Sequence, residues 1–226
     1  MKEVKKYKYL GVFMAIYCVF TVIQNLFEMK TIGTEAFAFG GGGIMVSWAT
    51  FMMMDITTEV FGKKDSIKVY TFAGILNLVI VILAQILIAM PGVYEDQNIA
   101  FAQIFSNGVR TALASFIAFW VGNYVNVHIM VKMKEQREKA KKDGNVWLFI
   151  RAVVSTIFGQ FVDNFVFATL AFAPIGLSLF EMTWRDITTS ALFGTGMETF
   201  IEMIFVTFIT IPISNKLKKS LAKCDD

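Results

Sequence analysis

The sequence predicts an all-α, polytopic integral membrane protein with six transmembrane helices and both termini in the cytoplasm. Two observations carry this prediction. The first is composition: 226 residues, 56% apolar, with 23 Phe and a mean hydropathy of +0.59. That is too hydrophobic for a soluble domain, and it suits one helical bundle forming a single domain over residues 1–226. The second is the placement of positive charge. Seventeen of the 21 Lys and Arg residues sit in four short segments, Lys2 to Lys8, Lys63 to Lys68, Lys132 to Lys142 and Lys216 to Lys223, which fall on alternate gaps between six apolar stretches. Short cytoplasmic loops carry the excess of Lys and Arg in bilayer proteins, so the alternation orients the chain.

A helix needs about 20 largely apolar residues to cross the hydrocarbon core. Tyr9 to Phe27 meets this length and, lacking a small-residue cleavage site, reads as a retained span. The second span is expected over Phe37 to Met54. Its run Gly40-Gly41-Gly42-Gly43 costs about 1 kcal/mol per residue against Ala in a helix, so either a loosely wound entry or close packing through small residues is expected there. The third span covers Val69 to Met90. An outer loop follows, with Glu95, Asp96 and the apolar piece Ile99 to Phe105, too short to cross and expected at the interface. Thr111 to Val131 is the fourth span, and the charged segment Lys132 to Asn145 continues it as a solvated helix and turn. Ala152 to Ile175 and Ile187 to Ser214 complete the set, with Pro174, Gly176 and Pro212 marking bends or ends and a second apolar piece at Leu177 to Trp184. Three spans in each half would place the halves in opposite orientations, as in inverted-repeat carriers.

Several function classes are excluded. The basic residues are used in orienting loops and form no face for a phosphate backbone, so nucleic acid is not a partner. Cys18 within a span and Cys224 in the tail form no disulfide framework or metal-ligand spacing, and no cofactor is implied. The chain lacks a P-loop, G-x-S-x-G and H-E-x-x-H, and has one histidine, so it reads as a non-enzyme. That histidine, His128 near the cytoplasmic end of the fourth span, reads as structural rather than as a proton relay.

The informative residues are charges inside spans, each costing about 2.5 to 3.5 kcal/mol at a helix centre unless a partner, cavity or ligand meets it. Asp163 follows eleven uncharged residues after Arg151, Glu198 follows eleven after Asp186, and Glu202 is one turn beyond Glu198 on the same face. Around Asp163, Thr156, Gln160 and Asn164 share a helix face with Gly159 beside them. This stripe is interhelical glue or a ligand site, and the adjoining carboxylate and amides favour the site. Phe158, Phe161, Phe165, Phe167 and Trp120 are available to stack on a flat ring, although lipid-facing packing is the default for any one of them. Asp55 and Glu59, at i and i+4, stand with Arg151 at one depth, as an ion-pair cluster or an inner gate. Asp163 is roughly 18 Å along the helix from Arg151, too far for a pair. The five carboxylates Asp55, Glu59, Asp163, Glu198 and Glu202 outnumber the arginines Arg110 and Arg151, so a ligand rich in N–H groups, or a cation, suits the site.

Asp55-Ile56-Thr57-Thr58-Glu59-Val60-Phe61-Gly62 resembles the D-I-x-T-E-V-Y-G signature of the queuosine precursor transporters, in the vitamin uptake transporter group. Arg151-x-x-x-Ser155, then Gly159-Gln160-x-x-Asp163 and Phe167, is similar to that family's second signature, and Glu198 and Pro212 fall where its members carry them. The resemblance covers nearly the whole chain; Phe61 departs from the usual Tyr. It implies a six-helix carrier in a bacterial cytoplasmic membrane, importing 7-deazaguanine bases such as preQ0, preQ1 or queuine. Asp163 and Glu198 would grip the base's N–H edge, Gln160 or Asn164 its carbonyl, and Glu202 a cationic side arm. The partners are then a small heterocyclic base and membrane lipid, with homodimerisation left open. A substrate-capture subunit of a multi-part vitamin importer, dependent on an ATPase partner, is the alternative reading.

Overall fold

The computed structural model describes residues 2–28, 30–34, 37–105, 109–140, 144–174 and 182–222, with side chains at all of these except 2, 31, 34, 37–41 and 109–112. The chain is an all-α membrane protein with six helical segments long and apolar enough to span a bilayer. Helix α1 (Lys2–Glu28) leads to a small antiparallel hairpin, β1 (Thr31–Thr34) and β2 (Phe37–Gly41). Then come α2 (Ile44–Phe61), α3 (Lys63–Ala89), a short α4 (Glu95–Phe105), α5 (Val109–Lys139) and α6 (Asn145–Phe172). The sixth span is built in three pieces: α7 (Trp184–Phe205), a π-helical turn Val206–Thr210, and α8 (Ile211–Ala222).

The second span differs from expectation in register. Its helix starts at Ile44, not Phe37, because residues 37–41 pair with β1. Gly43 caps the start of α2, and Gly42 and Gly43 together serve a close approach to the end of α1. A Cβ on Gly42 would lie 2.5 Å from the Phe27 carbonyl oxygen, and one on Gly43 would be 3.0 Å from that of Gln24. The helix then runs seven residues past Met54, carrying Asp55 and Glu59 within it. It is able to do so because α2 is the central helix: 72% of its residues are buried, against 22% of the spanning windows of α1 and α3. With protein on all sides it needs no lipid-facing stripe, so its mean hydropathy is 1.2 while that of α3 is 2.6. On α3, Phe72, Ile75, Val79, Ile82, Leu83 and Ile86 are exposed to the bilayer. A single residue, Gly62 at φ +86°, joins α2 to α3, a left-handed conformation that glycine adopts without strain.

The tightest crossing is that of α5 and α6. A Cβ on Gly122 would come 2.7 Å from Cβ of Asp163, and one on Gly159 would come 2.8 Å from Cβ of Asn126. Small residues here bring two backbones together and aim their polar neighbours at α2 and α7. Helix α5 continues to Lys139, giving the expected solvated extension, and Arg137 stacks on Trp147 at 3.3 Å. The apolar piece after Glu95 is helix α4, which contributes no buried residue. Pro174 follows the end of α6. Pro212, with no N–H to donate and a ring that crowds the preceding turn, is the second residue of α8, directly after the π-helical turn. The side chain of Arg110, Gly176, Cys224 and most of the Leu177 to Trp184 piece lie outside the described residues.

The first and last helices meet at one end. Lys5 Nζ donates to the Ser220 carbonyl at 3.0 Å, Tyr9 and Ser220 hydroxyls are 3.2 Å apart, and Lys6 pairs with Asp65 at 2.8 Å. With Lys134 and Lys218 both reaching Glu59, the described parts of the four lysine-rich segments collect at one face of the bundle, where the start of α1 meets the end of α8.

Candidate functional site

A cavity of about 660 Å³ opens at the opposite end. Its mouth is formed by Glu28 at the end of α1, Gly43 before α2, and Met182 and Asp186 around the start of α7. Its inner part reaches Thr21, Phe119, Asp163 and Glu198, well inside the helices. Four carboxylates line it, Glu28, Asp163, Asp186 and Glu198, with no Lys, Arg or His among the described lining residues. The amides of Gln24, Asn25, Asn77 and Asn164 and the hydroxyls of Ser115 and Thr21 join them, and Phe116, Phe119, Phe167 and Phe193 supply aromatic walls. Acceptors and donors set among rings suit a flat, polar heterocycle, and the charge suits one that is cationic.

The inner edge is built by α6 against α7. Asn164 Nδ2 donates to Glu198 Oε2 at 3.0 Å and to Thr195 Oγ1 at 3.4 Å, and Thr195 is held by the Ala191 carbonyl at 2.7 Å. The Ser47 hydroxyl on α2 reaches toward the same Glu198 carboxylate. Gly194 permits this contact, since a Cβ there would sit 3.3 Å from Asn164 Nδ2. Asp163 rests on the Gly122 surface of α5.

Beneath the cavity the polar residues pair with one another. Thr199 donates to Gln160 Oε1 at 3.2 Å, Thr156 to Glu202 Oε1 at 2.8 Å, and Asn126 to Thr156 at 3.4 Å. Gln160, Glu202, Thr156 and Asn126 are all buried and are not among the cavity-lining residues. The stripe on α6 is thus divided: Asp163 and Asn164 face the cavity, while Gln160 and Thr156 form its underlayer. Glu202, one turn below Glu198, belongs to that underlayer too.

A third layer seals the lysine-rich end, where α1 begins and α8 finishes. Glu59 is met by Arg151 Nη2 at 2.7 Å, by Lys134 Nζ at 3.5 Å and by Lys218. Lys134 also donates to the Glu59 carbonyl at 2.8 Å. Arg151 pairs with Glu59, and the Asp55 carboxylate, wholly buried, faces Asn126, Glu202 and the Arg151 charge. Setting the span carboxylates against arginines alone overlooked the lysines, whose long stems bring Lys134 and Lys218 back from the helix ends to a buried acid.

Glu28, Asn25 and Asn77 were missed as site residues. The α1 residues Thr21, Asn25 and Glu28 are spaced four and three apart, a polar stripe on one helix face, and Asn77 is an amide in the middle of a mainly apolar span. Those patterns were available signals. Of the aromatics, Phe167 lines the cavity, whereas Phe158 is exposed and Trp120 stacks on Tyr124 outside it. His128 packs on Tyr124, its Nδ1 2.7 Å from the Tyr124 carbonyl, away from the cavity.

Comparison with known proteins finds that residues 41–212 match a family described as "Putative vitamin uptake transporter". A "Probable queuosine precursor transporter" of Bacillus subtilis is 26% identical over 203 residues, covering 89% of this chain and 81% of that protein. The "Queuosine precursor transporter" of Escherichia coli is 24% identical over 172 residues, 76% of this chain and 72% of that protein. A "Probable queuosine precursor transporter" of Haemophilus influenzae is 24% identical over 161 residues, 71% of this chain, and the match spans 59% of its length. No solved structure gives a significant match.

Proposed function

This chain belongs to the vitamin uptake transporter family, and from that membership and its cavity we propose that it carries queuosine precursors, 7-deazaguanine bases, into the cytoplasm. The observation that carries this reading is the grouping of Asp163, Asn164 and Glu198 in one acid-lined cavity bordered by phenylalanines. A guanine-like edge presents a ring N–H beside an exocyclic amine, for which a carboxylate is a two-point acceptor. Asp163 and Glu198 take that role, and Asn164, already a donor to Glu198, is placed to meet the base carbonyl. Glu28 and Asp186 nearer the mouth add negative charge with no described cation against it, which favours a base bearing an amine, such as preQ1 or queuine, over the neutral preQ0.

The orientation follows from charge. The lysine-rich face, where α1 begins and α8 finishes, is cytoplasmic by the positive-inside rule, in the cytoplasmic membrane of a bacterium. The cavity then opens outward, and the Glu59 cluster closes the inner side. Import requires that cluster to open while the mouth between α1, α2 and α7 shuts.

The test is uptake of labelled preQ0, preQ1 and queuine by a bacterium lacking its own carrier and its own queuosine synthesis. The chain is expected to restore uptake, with the amine-bearing bases outcompeting preQ0. Uptake absent for all three, at normal membrane expression, would transfer the reading to a capture subunit without its ATPase partner.

A further inference from the structure

We propose that Asp55 and Glu202 together bind one proton, and that this proton drives transport; the coupling half of the proposal rests on the carrier reading above. Asp55 on α2 is 0% exposed and Glu202 on α7 is 1% exposed, and the two carboxylates face each other beneath the cavity floor. Ionised carboxylates have only acceptor oxygens, so such a contact holds when one of the pair carries a proton and donates it to the other. The surroundings supply little else. Thr156 donates to Glu202 Oε1 at 2.8 Å, but among the described residues no other side chain or backbone group donates to Glu202 Oε2, to either oxygen of Asp55 or to the buried Asn126 Oδ1 beside them.

The charged groups facing the pair are few. Asp55 is faced by Glu59 from its own helix, by Arg151 from α6 and by Glu202 from α7, while α5 presents the neutral Asn126. Glu202 is faced by Asp55 from α2 and by Glu198 one turn back on α7, while α6 presents the Thr156 hydroxyl. Arg151 is held by Glu59 at 2.7 Å, and Lys134 and Lys218 also go to Glu59. One shared proton supplies the donor that two ionised carboxylates lack, and the single negative charge left on the pair faces Arg151.

The location turns a proton site into a coupling site. The pair stands between the cavity and the seal. Glu198, which lines the cavity, is one helical turn from Glu202, so a proton entering with the substrate passes from Glu198 to the pair. When the inner seal opens, Glu59 parts from its cations, and Arg151 is left facing Asp55. That positive charge displaces the proton toward the side on which the substrate leaves.

The test uses the full chain purified into proteoliposomes, with labelled preQ0, preQ1 and queuine as probes. An acid-outside gradient of one pH unit is expected to drive accumulation toward about tenfold over equilibrium, the limit for one proton per substrate, and a sodium gradient is expected to drive none. Asp55→Asn and Glu202→Gln are expected to lose this accumulation. Infrared spectra of the same samples read the proton itself. The unsubstituted chain should show the carbonyl stretch of an un-ionised carboxylic acid that Glu202→Gln removes and Asp163→Asn leaves in place. Exchange of substrate across the membrane with no response to the proton gradient, or accumulation driven by sodium, would overturn the proposal and leave the carrier reading standing. If none of the three bases moves, the carrier reading fails, and the infrared band alone then decides: its absence overturns the proton pair, and its presence supports it.

Discussion

Each of the three polar layers stacked along α6 and α7 makes a different demand on its side chains. In the cavity layer, Glu198 is expected to act on substrate, so Glu198→Gln should raise the KM for uptake by about tenfold or more, the cost of one or two charge-assisted hydrogen bonds. Asp163→Asn should do the same; the concentration dependence of uptake at matched membrane expression is the check. In the sealing layer, Arg151→Met removes the buried partner of Glu59 and should destabilise the detergent-solubilised protein by about 3–5 kcal/mol. Lys218→Met should cost far less, because that lysine's side chain is 40% exposed. Thermal unfolding of the two variants side by side decides this, and equal midpoints would remove Arg151 from its structural role. Asp163, Glu198 and Arg151 stood out in the sequence because a charge inside an apolar run has few innocent explanations. Glu28 and Asn25 did not, because near the end of a span a polar residue is ordinary and only the third dimension turns it toward a cavity.

The α5–α6 crossing sets the positions of all three layers, since Gly122 lies against Asp163 and Gly159 against Asn126. Gly122→Leu and Gly159→Leu should therefore force the helices apart, lowering the unfolding midpoint and abolishing uptake. Gly11→Leu, where an added Cβ meets nothing within 4 Å, should leave both intact; paired thermal and uptake assays read the contrast. The six spans were legible because length and hydropathy are properties of the helix alone. The hairpin over 31–41 was not, because its strands are short and glycine-rich and carry no alternating pattern. The true start of α2 was hidden with it: glycines that disfavour a helix also permit a tight approach, and only the neighbouring Phe27 and Gln24 carbonyls reveal which use applies.

The whole molecule has an open end and a sealed one. In a background with Cys18 and Cys224 replaced by serine, Ser190→Cys in the cavity wall should react with a membrane-impermeant maleimide added outside intact cells, and saturating substrate should slow it. Ser155→Cys and Ser214→Cys, at positions with 0% exposure, should remain unlabelled. Labelling only after the membrane is breached would reverse the orientation. The collection of lysines at one end was readable from the alternation of charged gaps. That some of those lysines leave the surface to neutralise Glu59 was not, because charge counting treats loop residues as solvated and takes no account of side-chain reach.

The seal also has a history within the life of each molecule. Glu59 is synthesised 75 residues before Lys134 and 159 before Lys218, so α2 leaves the ribosome with an acid whose charge partners Lys134, Arg151 and Lys218 do not yet exist. The central helix of the finished bundle is thus the one least able to settle in lipid alone, and its charge cluster remains incomplete until α8 arrives. A chain that stops short of Lys218 leaves Glu59 with one cation fewer at the heart of the fold.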